Sequence, residues 1–271
     1  MIEPDRVWLA KLRNAAVVDP GKPRVSLCAG GVEIGSAEPE VLKEIALHSL
    51  EIRDVPLLKD EHIDGRHCWH VLGDVTQSLN LMAVFLHQAG LAGAWRDEQL
   101  AVFDASGGLV GSVERAAVRP LGIATLAVHL LGQAPDGRFW VQQRALDKPN
   151  EPGKWDTLMG GMVSSRDTLH TALVRETWEE AGLHVADLHG VRHGGTLVTA
   201  RPSSDGAGSG YLRERIEWYS CTVPAGLVPE NQDGEVSQFR LLEPSDMLAA
   251  MQRDEFTLEA ALINAQFLKL F

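Results

Sequence analysis

Arg175-Glu176-Thr177-Trp178-Glu179-Glu180 places four charged side chains within six residues. On a helix each residue advances by about 100°, so Glu176, Glu179 and Glu180 share one face. At ~4 Å and an effective dielectric of about 20, each like-charge pair costs ~4 kcal/mol. Three carboxylates that converge closely therefore call for a cation. Oxygen-only ligands select a hard ion such as Mg²⁺ or Mn²⁺. The competing reading is a solvated acidic helix face, which is what many charge runs are.

The flanking residues favour the metal site. Gly160-Gly161 precede a helix expected over about Ser164–Ala181, and Gly182 suits the left-handed position at its end. Leu169, Ala172 and Leu173 supply a packing side. A glycine-flanked helix with acids opposite a core face has the character of a preorganised site.

From Gly161 to Leu183 the segment resembles the Nudix box, GX5EX7REUXEEXGU, in correct register. Gly161, Arg175, Glu176, Glu179, Glu180, Gly182 and Leu183 match. Asp167 stands where the family has Glu, and Thr177 where it has an aliphatic residue. The shorter Asp is expected to weaken positioning more than metal binding, and Thr177 to cost some core packing. The resemblance implies an α/β/α sandwich with a mixed sheet over residues 118–271. It implies that Glu176, Glu179 and Glu180 bind Mg²⁺ or Mn²⁺, with the Gly160 carbonyl beside them. Arg175 would orient Glu176, and Glu179 would share in catalysis. Family members often carry a functional acid just before a later strand, which makes Glu235 the candidate base.

Shorter motifs narrow the resemblance. Gly93-Ala-Trp-Arg-Asp-Glu98, Glu114-Arg115-Ala116, Gly122–His129 and Arg144…Lys148…Pro152-Gly153-Lys154-Trp155-Asp156 are similar to a Nudix subgroup with an extra N-terminal domain. That domain is related to the part fused to thiamine pyrophosphokinase in some fungi. The subgroup implies hydrolysis of thiamine diphosphate or its oxidised forms to the monophosphate. Trp95 and Arg96 become candidates for a heteroaromatic group, with an interdomain core Trp as the competing reading. Arg144 and Lys148 become candidates for phosphate oxygens, with surface ion pairing as the competing reading. His129, on an apolar strand, reads as a satisfied core histidine. Other substrates remain open, among them nucleoside-linked and isoprenoid diphosphates, and so does a non-catalytic diphosphate sensor.

The elements that must position these residues form two units. Residues 1–117 read as a small α+β accessory domain. Helices are expected at Pro4–Asn14, Pro39–Leu50 and Ser78–Ala89, with extended segments at Arg24–Ile34 and His67–Leu72. A hairpin is expected across Asp104–Gly108. Residues 118–271 alternate strand, helix and strand, with a loop expected at Arg201–Gly210 and helices at Pro244–Met251 and Glu259–Phe267.

Composition sets the outer bounds. The chain has 271 residues, 45% of them hydrophobic and 23% charged, enough for a real core. A net charge of −12 with no basic patch argues against nucleic acid. An acidic protein can still bind a small-molecule diphosphate through metal ions. No apolar run is long enough for a membrane span, and the N-terminus lacks a signal-type apolar core. Cys28, Cys68 and Cys221 are scattered, which fits a reducing cytoplasm. The oligomeric state stays open, a homodimer included.

Overall fold

The computed structural model describes residues 5–53, 56–63 and 65–271. Asp5 caps the first helix, α1 (Arg6–Ala16), by accepting from the Val7 N–H at 2.8 Å. The expected start at Pro4 lies outside the described residues.

The N-terminal sheet comprises β1 (Val25–Ala29), β2 (Val32–Ala37), β3 (Leu58–Ile63) and β4 (Arg66–Val71), in the order β2-β1-β4-β3. Only β3 escaped the sequence reading: half of its residues are charged and they show no clean alternation. Helices α2 (Pro39–Arg53) and α3 (Val75–Gln88) cover one face, and β5 (Gln99–Phe103) pairs with β6 (Leu109–Glu114) as expected. Leu27, Leu42, Ile45, Leu79, Met82 and Leu86 form the centre of this core.

The second sheet is built from β7 (Thr125–Gln133), β8 (Phe139–Arg144), β9 (Trp155–Asp156), β10 (Met159–Met162), β11 (His189–Ser203), β12 (Gly210–Thr222) and β13 (Val236–Leu242). Its order is β11-β12-β7-β8-β13, with β10 on β7 and β9 on β8. The β12–β7 pair is parallel and β7–β8 antiparallel, so the sheet is mixed. Helix α4 (Leu169–Ala181) packs Ala172 and Leu173 against Val128 and Leu130 on one face. Helices α5 (Pro244–Gln252) and α6 (Leu258–Phe267) cover the other, where Ala127 and Leu131 join Met247 and Ile263. Alternation along β7 thus feeds two cores from one strand.

The cores interlock near the expected boundary. Leu12 and Ala16 of α1 join the α6 core, while Val118, Leu121 and Ile123 join the N-terminal core. Among the described residues no helix is long and apolar enough to cross a membrane.

Two boundaries differ from expectation. Helix α4 begins at Leu169, because Thr168 caps it and Thr171 bonds back to the Thr168 N–H at 2.8 Å. Gly160 and Gly161, which precede the helix as read, lie in β10. The expected loop at Arg201–Gly210 is shorter, because β11 continues to Ser203 and pairs with Gly210.

Candidate active site

Helix α4 carries its acids on the face that meets β10. Gly161 has no side chain there, and a Cβ would occupy the space of the Glu176 carboxylate. Next to it, the Gly160 N–H donates to Glu180 Oε2 at 2.9 Å. The two glycines are the opening through which Glu176 and Glu180 reach a cavity of about 400 Å³. That answers what the glycine pair is for.

The three glutamates are not equivalent. Glu180 is 3% exposed and also accepts from Gln142 Nε2 at 2.9 Å. Burial pushes its carboxyl up to about 8, with Glu176 and Asp156 adding to the rise against the Gly160 and Gln142 hydrogen bonds. Burial likewise pushes Glu176 up to about 7, against the pull of Arg175. Glu179 is turned aside: its side chain is 40% exposed, and Arg175 Nη1 donates to its Oε2 at 2.9 Å. One shared face was expected for all three, but only Glu176 and Glu180 line the cavity. The 100° step places side chains by direction, and Arg175 then decides where Glu179 ends.

Arg175 is the hub of this layer. Its Nη1 also donates to Glu176 Oε1 at 2.8 Å, and its Nε and Nη2 donate to Asp167 Oδ2 at 3.1 and 2.8 Å. Burial lowers the Arg175 pKa, but Glu176 and Asp167 outweigh it and raise the value above the ordinary one. Asp167 therefore reaches Arg175 despite being a carbon shorter than Glu, and Thr171 Oγ1 donates to its other oxygen at 3.0 Å. Thr177, fully buried, donates its hydroxyl to the Leu173 carbonyl at 2.6 Å, which removes the cost of a polar atom in the core.

The donor set fits a hard divalent ion. Glu176 and Glu180 offer carboxylate oxygens at the cavity, and burial opposes the charge of both. Gly160 lines the same wall. Among the described residues no three His, Cys, Asp or Glu side chains come together closely enough to hold a metal ion. Arg175 draws on Glu176 and Glu179 instead.

The remaining candidates divide. Arg144, Lys148, Glu235 and Arg96 line the cavity. Arg144 donates to the Asn150 carbonyl at 3.2 and 3.1 Å and lies 3.8 Å from Asp156. Lys148 and Glu235, expected as separate phosphate binder and base, are ion-paired with each other. Burial raises Glu235, but Lys148 outweighs it and holds the carboxyl below its ordinary value. Trp95 is away from the cavity: it is 36% exposed, and its indole N–H donates to Asp97 Oδ1 at 2.7 Å. It is neither a stacking platform in this cavity nor a core residue. A local acidic acceptor two residues away has captured its polar edge.

Among the cavity residues that carried no functional reading in the sequence are His129, Arg201, Glu214 and Glu259. His129 is 7% exposed, yet its ring borders the cavity beside Gly160. The available signal was the alternation of Thr125, Ala127 and His129 on one face of β7, where His129 pairs with Gly160 of β10.

A NUDIX domain family model matches residues 122–262, just over half of the chain. Nudix hydrolase 20, chloroplastic, of Arabidopsis thaliana is 31% identical over 148 residues, 54% of this chain and 38% of its own length. Nudix hydrolase 24, chloroplastic, of the same plant is 31% identical over 150 residues, 54% of this chain and 40% of its own. The chain thus spans less than half the length of either relative. A crystal structure from Deinococcus radiodurans is 23% identical, covers 59% of this chain and 92% of that one, and has a TM-score of 0.48. The family match contains the glycine pair, all of α4 and most of the cavity wall: the chain belongs to the Nudix family, and its mixed-sheet α/β sandwich behind an α+β N-terminal region is a Nudix fold.

Proposed function

We propose that this cavity hydrolyses a diphosphate linkage with the help of Mg²⁺ or Mn²⁺. The observation that carries the reading is the passage of Glu176 and Glu180 beside Gly160 and Gly161 into a large polar cavity. Glu176, Glu180 and the Gly160 carbonyl would hold the cation, with Glu179 added when it leaves Arg175. Bound there, a divalent ion would neutralise the diphosphate, clamp its oxygens and lower the pKa of an attacking water.

The chain's own groups do the rest. Arg175 and Asp167 fix the direction of Glu176. Arg144, Lys148 and Arg96 bring positive charge to the same cavity, which suits phosphate oxygens. Glu235 is the proposed base, and it becomes free to take a proton when an anion draws Lys148 away. Positioning and charge account for most of the rate in such chemistry.

Thiamine diphosphate or its oxidised analogues are the proposed substrates, cleaved to the monophosphate and phosphate. The support is the resemblance of the N-terminal motifs and a cavity of about 400 Å³, within the range of small-molecule sites. We also propose an accessory unit at 1–117 and a catalytic unit at 118–271. Three buried free thiols suit a reducing cytoplasm as the proposed setting.

The test is phosphate release from a panel of diphosphates with Mg²⁺ or Mn²⁺ and with chelator. Metal-dependent release is expected in wild type and a loss of at least a hundredfold in Glu179→Gln, with folding retained. No release from any member with either ion would refute the hydrolase reading and favour a diphosphate sensor.

A further inference from the structure

The N-terminal unit forms part of the cavity wall, and it does so with cations. Arg96 lies between α3 and β5, Arg115 directly follows β6, and both line the cavity. Both also line a small annex of about 60 Å³ at the seam of the two units, with Gly93 on one side and Pro149, Asn150 and Met162 on the other. Backbone closes this seam. The Ser165 N–H donates to the Gln99 carbonyl at 2.7 Å, and Ser164 bridges to Leu100 of β5. Met162 of β10 is buried in the N-terminal core. The segment from Gly161 into α4 is thus fastened to the N-terminal unit just before Asp167, the acceptor that holds Arg175.

Arg96 differs from the other cations of the cavity. Six arginine and lysine side chains line it. Five already have an acceptor. Arg115 donates to Glu98 at 2.7 Å, Arg119 to Asp205 at 2.8 Å and Arg201 to Glu259 at 2.7 Å. Arg144 donates to the Asn150 carbonyl, and Lys148 is paired with Glu235. The Arg96 guanidinium has no acceptor among the described residues.

Its backbone, by contrast, is tied down. The Arg96 N–H donates at 2.9 Å to Glu114 Oε1, a carboxylate only 1% exposed. The Gly93 N–H donates to the Ala116 carbonyl at 2.8 Å, and the Trp95 indole is held by Asp97. A loop fastened at three points carries a cation that no acid neutralises. Its charge acts across the seam: burial raises Glu235, but Lys148, Arg115 and Arg96 together hold that carboxyl below its ordinary value. A paired cation must give up its partner before it binds a ligand, whereas a free one on a fixed loop need not.

We propose that the N-terminal unit completes the active site, and that Arg96 is the substrate-contacting cation it supplies, its planar guanidinium taking phosphate oxygens of the ligand in a two-point contact. The proposal rests on the hydrolase reading only for the identity of the anion as a diphosphate. Residues 1–117 then serve catalysis directly: they supply Arg96 and fasten the lead-in to α4. An anion seated on Arg96 also enters the cavity beside the Lys148–Glu235 pair, where it competes with Glu235 for Lys148.

The test is calorimetry on the full-length chain, with inorganic diphosphate and thiamine diphosphate as probes and Ca²⁺ as the cation. Arg96→Ala should weaken binding of both about tenfold or more. Arg96→Lys should recover part of the loss, because the charge stays while the fork is gone. Arg138→Ala removes the same charge from an exposed pair with Asp136 outside the cavity, and should change binding by less than about twofold. Mn²⁺ alone should bind all four proteins equally. Thermal midpoints should agree within ~2 °C for wild type and both Arg96 variants, because the guanidinium holds no partner to lose. Wild-type affinity in Arg96→Ala overturns the proposal, as does a wild type that binds neither probe. So does an equal loss in Arg138→Ala or a matching loss of Mn²⁺ affinity, since either sets the effect outside the anion contact. Phosphate release with Mg²⁺ is read separately: binding through Arg96 without release from any diphosphate would sink the hydrolase reading and leave the contact standing.

Discussion

Glu180 offers the sharpest physical test, because its environment opposes the charge that its proposed role requires. The residue is 3% exposed, and burial raises its carboxyl from an ordinary 4.5 to about 8. In the unfolded chain the group ionises near its ordinary value. A folded-state value raised above the unfolded one gives stability that is complete below pH ~4.5 and is lost as pH rises through about 8. At ~1.4 kcal/mol per pH unit, the gap from 4.5 to about 8 sets a ceiling of ~5 kcal/mol. Relaxation and water entry reduce such penalties in real proteins, so a loss of about 2–3 kcal/mol is the expected effect. For a chain of this size that is a fall of about 5–10 °C in Tm between pH 5 and pH 9. The measurement is thermal unfolding in chelator across that range, for wild type and Glu180→Gln. Glutamine keeps an oxygen to accept from the Gly160 N–H but cannot ionise. The variant should lose much of the slope and exceed wild type in Tm at pH 8–9. Saturating Mn²⁺ should raise the wild-type Tm most at high pH and the variant's much less. Parallel pH profiles for the two proteins would refute the reasoning, because the buried charge would then have no energetic consequence.

Two further substitutions probe the same layer. Gly161→Ala puts a methyl group where the Glu176 carboxylate lies, so phosphate release should fall at least tenfold while Tm drops by only a few degrees; unchanged release would show that Glu176 has no fixed place. Lys148→Met removes the cation paired with Glu235, so the pH at which phosphate release begins to fail on the acid side should move upward, because Lys148 is what holds Glu235 below its ordinary value; an unmoved acid limb would exclude Glu235 as the base.

Much of this site could be read before any coordinates. The acids of α4, the left-handed Gly182 and the packing of Ala172 and Leu173 follow from spacing, because a helix converts sequence separation directly into direction. What spacing does not encode is competition between partners. Glu179 shares a helical face with Glu176, yet Arg175, one turn earlier, captures it. Trp95 has the chemistry of a stacking platform, yet Asp97 claims its N–H. Lys148 and Glu235 are far apart in sequence and are joined only because the loop before β9 folds back to the start of β13. His129 was hidden for the opposite reason. Its apolar neighbours on β7 mark a core strand, and only the missing side chain at Gly160, on the adjacent strand, gives the ring an open edge.

The acidity of the chain now takes a specific form within the cavity. A diphosphate cannot approach Glu176 and Glu180 unaided, and Arg144, Lys148 and Arg96 line the same cavity. At the other end Glu214 accepts from Thr125 and Glu259 accepts from Arg201. A cavity lined by cations throughout would bind inorganic phosphate as well as any ester. One lined by acids throughout would bind only metal. On the proposed reading, this division favours a ligand that carries an anion at one end and a polar group at the other, at a set separation. Shortening that separation should cost affinity even when both groups are kept, because only one end can then be satisfied at a time.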